Sequence, residues 1–339
     1  MTVNPPFAGQ TFPISNLIDP RTLARAMPTH PAILYHYTTE AGLRGIVSSP
    51  SWDLHNPGFE PMLERAAQLR ASDVRYMNDA KELLFLAEPL VQRFRAVAAD
   101  SSAPSQLAAT LALLADAFSE KDVLRWTLRC FATCFSELGD STTQWQHYAA
   151  GTGGYAIGFS WEALAEHSFA FHPETTVMGN TPFPAGLRRM AYDTSAAETI
   201  ADSLVGGLRN QYESGGWLRT HMEGSRTGLY FLATLIMVEL AAVKHGAWKH
   251  EHEWRLVAVS EPQYPVKSRQ GRDGDALPYL DVAVNMNTPE IGPLPPTVAK
   301  LVVGPGPDQP GRVALARELL QERGHDPNVV VCSDVPLKW

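Results

Sequence analysis

The stretch RCFATCFSELGDSTTQWQHYAAGTGGYAIGFSW, Arg129–Trp161, carries the reading on which the fold turns. Phe131 to Ser136 is a short, largely apolar run of the kind that forms a buried strand. Asp140 to Thr143 offer side-chain oxygens to free amides, so they predict the cap of a short helix holding Trp145 and Tyr148. GTGG at 151–154 then turns the chain into a second strand, YAIGFS, and Trp161 opens another short helix.

The alternation continues on both sides. ILYHY, Ile33–Tyr37, reads as a strand followed by a helix with Leu43, Ile46 and Val47 on its apolar side. Asp19-Pro20 predicts a short helix upstream, and a loop with Trp52 and Pro57 lies downstream. VRYMNDAKELLF leads into a long helix capped by Asn78 or Asp79, which Pro89 should kink or split. A further helix is expected from Ser105 to Leu128. Residues 175–190 read as a Pro-rich loop, and helices are predicted at about 195–213 and 226–244. EWRLVAVS is a strand, PVKSRQGRDGDA a polar loop, and PYLDVAV and AKLVVG are strands. A helix at 311–323 and a strand NVVVCSD end the chain. Short strands separated by helices of unequal length imply an α+β body with a split, mixed sheet rather than regular βαβ units. Residues 1–30 are expected to be an appendage to a single 31–339 domain. Large helical insertions fall near 79–128 and 195–244, the first as a cover over the sheet.

Composition narrows the function classes. Of 339 residues 45% are hydrophobic, enough for a large core, and 28 Lys and Arg face 36 Asp and Glu. That balance argues against passive nucleic-acid binding, although Arg188, Arg189, Lys244, Lys249, Arg255 and Lys267 could form a local basic groove. Scattered surface charge is the simpler reading of those six. Cys130, Cys134 and Cys332 are too few for a disulfide framework. The first two, four apart on a strand, read as buried small hydrophobes. The N-terminus shows no basic start followed by an apolar core, and Leu229–Val243 is too short to span a bilayer. A soluble, cytoplasmic protein that does not engage a membrane is expected.

Six motifs, LYHYTTEAGLRGIV, RYMNDAKE, CFSELGDSTTQWQHYA, GGYAIGF, EHEWRLV and LVVGPG, occur in this order between about residues 33 and 305. Together they resemble the bacterial domain of unknown function 2971 family. That family name supplies no reaction. His36-Tyr37-Thr38 at a strand end further resembles the first motif of the ADP-ribosyltransferases. The resemblance implies that His36 holds a ribose hydroxyl of NAD, that the Tyr37 backbone holds the nicotinamide amide and that Thr38 supports it. Glu251-His252-Glu253 resembles the Glu-x-Glu motif of the same superfamily, and implies that Glu253 stabilises the ribosyl cation while Glu251 assists the acceptor. Ser136, Tyr148 or Tyr155 would complete the nicotinamide pocket. The strands bearing His36 and Glu253 should then be neighbours, with both side chains in one pocket.

Plainer readings stand beside these. His36 could be a partly buried histidine capping a helix, and Glu253 could belong to a surface edge salt-bridged to Arg255. Asp79 and Glu82 suit a capping arrangement, with Arg75 or Asn78 as substrate contacts instead. His245, His250, His252 and Glu253 are dense enough to suggest zinc, yet their spacing matches no helical zinc motif, so no metal is expected. The favoured reading is an NAD-consuming ADP-ribosyltransferase-like enzyme, transferring ADP-ribose to an unknown acceptor or hydrolysing NAD, of the toxin, effector or defence kind. The alternatives are a nuclease or other hydrolase using the His and carboxylate cluster, and a non-catalytic ligand- or partner-binding protein.

Overall fold

A computed structural model describes residues 29–47, 63, 65–77, 83–119, 128–148, 153–173, 183–215, 219, 226–260, 264–271, 274–287 and 294–336. Asp19-Pro20, Trp52, Pro57, Asn78, Asp79 and Glu82 lie outside these, as does nearly all of the expected appendage. The architecture is α+β, with a mixed and mostly antiparallel sheet. Its centre is β3 (Arg129–Ser136). One edge of β3 pairs along its whole length with β10 (Glu253–Ser260), from Glu253↔Ser136 to Ser260↔Arg129. The other edge is shared. β1 (Ile33–Thr38) takes only its last residue, Tyr35↔Ser136. β2 (Ala67–Asp73) takes Ala132 and Phe131 near its start. The sheet therefore splits beside Thr133–Phe135.

From the split, one arm runs through β1 to β4 (Tyr155–Ser160), β13 (Lys300–Val303) and β14 (Val330–Cys332). The last pair is parallel. The other arm runs through β2 to β12 (Ala276–Val284), β5 (Ser168–Phe171) and β6 (Phe183–Pro184). β7 (Gly186–Arg189) covers the outer edge of β10, and β11 (Lys267–Gln270) pairs with β12.

Residues of β3 alternate between two cores, as strand geometry requires. Phe131 and Phe135 enter a cluster built on α1 (Glu40–Val47), α5 (Trp161–Glu166) and α8 (Gln309–Glu322). Cys130 and Ala132 face a second cluster, made mostly by α2 (Leu84–Ala99), α3 (Ser105–Ala117), α6 (Thr194–Glu213) and α7 (Arg226–Leu240). The helices of the two expected insertions thus share one layer over one face of the sheet. On α2 the buried positions Leu86, Ala87, Leu90, Val91 and Phe94 form one apolar stripe. The short helix after the β3 turn, α4 (Thr142–Tyr148), lies where its cap residues place it.

Several local expectations are corrected. β2 was not anticipated, because its buried face is Ala67, Leu69, Ala71 and Asp73, too small and polar to signal a strand. The 175–190 loop contains β6 and β7, which gain strand pairing only through β5 and β10. β11 is a mostly exposed polar edge whose strand pairing is with β12. Pro89 lies inside α2 without splitting it. Val243–Lys244 is not the end of a helix but a short strand, β9, parallel to β8 (Ala191–Tyr192).

Phe94 is fully buried at the middle of the helical layer. Truncating a buried aromatic of this kind removes transfer energy and leaves a cavity, so Phe94→Ala should cost about 3–5 kcal/mol. Urea denaturation measures this. A loss under about 1 kcal/mol would mean that the layer repacks freely and is not a second core.

Candidate active site

The unpaired edge of β3 is the floor of the site. With no strand beside Cys134, its carbonyl accepts from His36 Nδ1 instead, at 2.9 Å. A side chain of β1 thus replaces a ladder bond. A carbonyl only accepts, so Nδ1 carries the proton and Nε2 keeps the lone pair. Burial lowers the pKa of the ring, against the hydrogen bond to Cys134, and favours the neutral form.

A small cavity opens here, lined by residues that include His36, Tyr37, Ser136, Tyr148, Glu251 and Glu253. β1 and β10 do not pair with each other, as adjacent placement would require. Both flank β3 and meet at Ser136, and His36 and Glu253 nonetheless line one pocket. Thr38 does not line it, since its hydroxyl packs over Gly42 at the start of α1. Of the three alternatives for the middle position, Ser136 and Tyr148 line the cavity. Tyr155 belongs to the core around α1, α5 and α8.

Two of the lining hydroxyls hold the walls in place. Tyr37 donates to Leu138 O at 2.7 Å and accepts from Ser141 N at 3.1 Å, which fastens the 137–141 loop. Its ring meets Trp145 edge-on. Ser136 Oγ donates to the backbone carbonyl of Glu251 at 2.8 Å, and Gln144 Nε2 donates to the same oxygen at 3.3 Å. These bonds pin the turn that presents the carboxylates.

Glu251 and Glu253 do not share a face by strand alternation. Glu251 ends a 3-10 turn, Gly246–Glu251, and His252 is left-handed at φ 46°. That twist brings both carboxylates onto Lys244, whose Nζ donates to Glu251 at 2.8 Å and Glu253 at 2.9 Å. Arg255 Nε donates to Glu253 at 2.8 Å. The expected pairing with Arg255 is present, but it is buried rather than at the surface, with Arg255 itself 0% exposed. Lys244 and Arg188 are buried as well, so these three are not scattered surface charge. Arg188 faces Glu239 at 3.6 Å.

Burial opposes ionisation of Glu253. The charges of Arg255 and Lys244 and the hydrogen bond from Arg255 outweigh it, and its pKa falls from 4.5 to about 2. Lys244 is pushed up by the two carboxylates despite its burial. Tyr148 donates to Glu251 Oε1 at 3.3 Å and is held protonated by burial and by the Glu251 charge. The Cys134 thiol is driven well up by burial and by Glu253, which makes it a poor nucleophile.

The histidines near Glu253 bond the backbone of Ala247 or approach Glu137. His245 Nδ1 accepts from Ala247 N, His250 Nδ1 bonds Ala247 O, and His252 reaches Glu137 at 3.9 Å. Among the described residues, the donor atoms of Glu162, Glu166 and His167 lie within 4.8 Å of one another, and none of these residues lines the cavity. Lys244 is the participant that sequence reasoning missed. Its only signal was a cation seven residues before the first carboxylate, after an apolar helix.

Residues 144–256 match the family model described as a protein of unknown function (DUF2971). This supports the resemblance to the domain of unknown function 2971 family. The matched stretch holds Tyr148, Lys244, Glu251 and Glu253, while His36 lies upstream of it. No curated protein and no solved structure matches the chain.

Two titrations should appear in acid. Below 6.5 the unfolded chain binds protons that His36 and His172 decline when folded, and burial lowers His172 to about 4. Stability is therefore lost as pH falls from 6.5 through the folded values. Glu253 adds a second step: its contribution is complete above 4.5 and disappears as pH falls toward about 2. A shift of that size corresponds to roughly 3 kcal/mol. Urea midpoints measured from pH 8 to pH 3 should fall, and Glu253→Gln should flatten the lower part. Midpoints constant from pH 7 to pH 3 would contradict this electrostatic account.

Proposed function

We propose that the protein cleaves the nicotinamide–ribose bond of NAD and passes ADP-ribose to an acceptor nucleophile or to water, on an ADP-ribosyltransferase-like split sheet. The observation that carries the reading is the convergence of His36 and Glu253, from opposite ends of the chain, on one cavity at the split. Tyr148, at its wall, is 40% exposed.

The chemistry follows from the residues. Nε2 of neutral His36 accepts a hydrogen bond from a ribose hydroxyl and orients the sugar. As the C–N bond breaks, its electron pair leaves with neutral nicotinamide, and positive charge grows on the ribosyl carbon. Glu253, held ionised and fixed by two cations, lies where such charge can be stabilised without reorganisation. The acceptor attacks the cation and passes its proton to the Glu251 carboxylate, beside which Tyr148 stands. An NAD-dependent role fits a cytoplasmic setting, and consumption of NAD fits a toxin, effector or defence protein. The net charge of −8 disfavours the nuclease alternative. The engagement of Glu253 by both Arg255 and Lys244 favours a second reading, a non-catalytic binding site.

Glu253→Gln should lower nicotinamide release by about 10²–10³ while NAD binding largely survives. His36→Ala should weaken NAD binding, and Glu251→Gln should reduce transfer to an acceptor more than NAD hydrolysis. Circular dichroism and thermal melts check that each variant folds. Wild-type protein that neither binds nor turns over NAD, with cell extract as the acceptor source, would sink the catalytic reading and promote the binding one.

A further inference from the structure

Two carboxylates in one small cavity repel each other, and burial sharpens the repulsion. Something must hold them together, and the bonds identify it. We propose that Lys244 is a positioning residue of the site: its ammonium bridges Glu251 and Glu253 from behind and presents them to the cavity as one fixed pair. Lys244 does not itself line the cavity, whereas both carboxylates do. Its Nζ meets Oε2 of each, at 2.8 and 2.9 Å, and lies 4.7 Å from the Trp248 ring centre, a cation–π contact that fixes the stem. The charge is built into the fold. Lys244 belongs to β9, whose parallel partner β8 aligns Tyr192 with it. Tyr192 OH in turn accepts from the backbone N–H of Glu253 at 2.8 Å. β8 and β9 are the two roots of the α6–α7 segment, so the base of the helical layer is tied to both carboxylates.

The other groups around the pair do not replace it. Arg255, on β10, donates to Glu253 and to the Ala241 carbonyl. Cys134, on β3, carries a thiol held protonated beside Glu253. Tyr148, on α4, reaches only Glu251. Lys244 meets both carboxylates directly. The inference concerns the cavity of the NAD reading and rests on it only for the activity arm of the test.

The test follows the Glu253 carboxyl by ¹³C NMR titration without NAD, in wild type, Lys244→Met and Lys244→Arg. Lys244→Met should move its midpoint upward by about one to three pH units, and Lys244→Arg should restore most of the wild-type position. The acid limb of nicotinamide release should move with it. An unmoved midpoint in Lys244→Met overturns the proposal. If that variant does not fold, the wild-type Lys244 ammonium ¹⁵N signal decides. It should be protected from exchange and follow the Glu253 titration, and a rapidly exchanging signal indifferent to it also overturns the proposal. A moved midpoint in Lys244→Met with no nicotinamide release by the wild type supports Lys244 and sinks the NAD reading. NAD cleavage with an unmoved midpoint does the reverse.

Discussion

A strand has two edges, and β3 has three partners. β10 occupies one edge completely, so β1 and β2 must divide the other, and neither reaches Thr133–Phe135. A backbone carbonyl exposed inside a protein must find another donor. At Cys134 that donor is His36, which fixes its tautomer and its place at the cavity wall. The split thus accounts for both the opening and the imidazole beside it.

The opposite wall obeys an electrostatic constraint. Buried carboxylates stay ionised only when paired and hydrogen-bonded. Here two acids and two cations form a compact, formally neutral group. Breaking one member of such a group commonly costs about 3–5 kcal/mol, so stability and site geometry are linked. The linkage extends outward, because Lys244 and Tyr192 stand at the roots of the helices that form the second core. The loop on the remaining side is anchored by Tyr37 and by Asp140, which accepts from Trp145 Nε1 and from Ser333 Oγ near the end of the described chain.

Much of this was legible in the amino-acid sequence, for definable reasons. β1, β3, β4, β10 and β13 are apolar runs bounded by turn residues, and they were readable as strands. His36 and Glu253 stood out as polar residues at strand ends. β2 was hidden because small residues carry its buried face. β6 and β7 were hidden because their pairing comes from partners distant in sequence. The convergence of Glu251 and Glu253 could not be read from alternation, since it depends on the left-handed backbone at His252. Lys244 was hidden for a related reason: a lysine after an apolar helix looks like a solvated helix end until the fold brings the Glu251 turn back against it.

The measurement that bears most directly on this account is a crystal structure with a non-hydrolysable NAD analogue. The account predicts the nicotinamide–ribose end in the cavity at the split, with a ribose hydroxyl on His36 Nε2 and the ribosyl carbon beside Glu253. An analogue bound elsewhere, or a cavity that stays empty at saturating analogue with the Glu253–Arg255–Lys244 group intact, would contradict it.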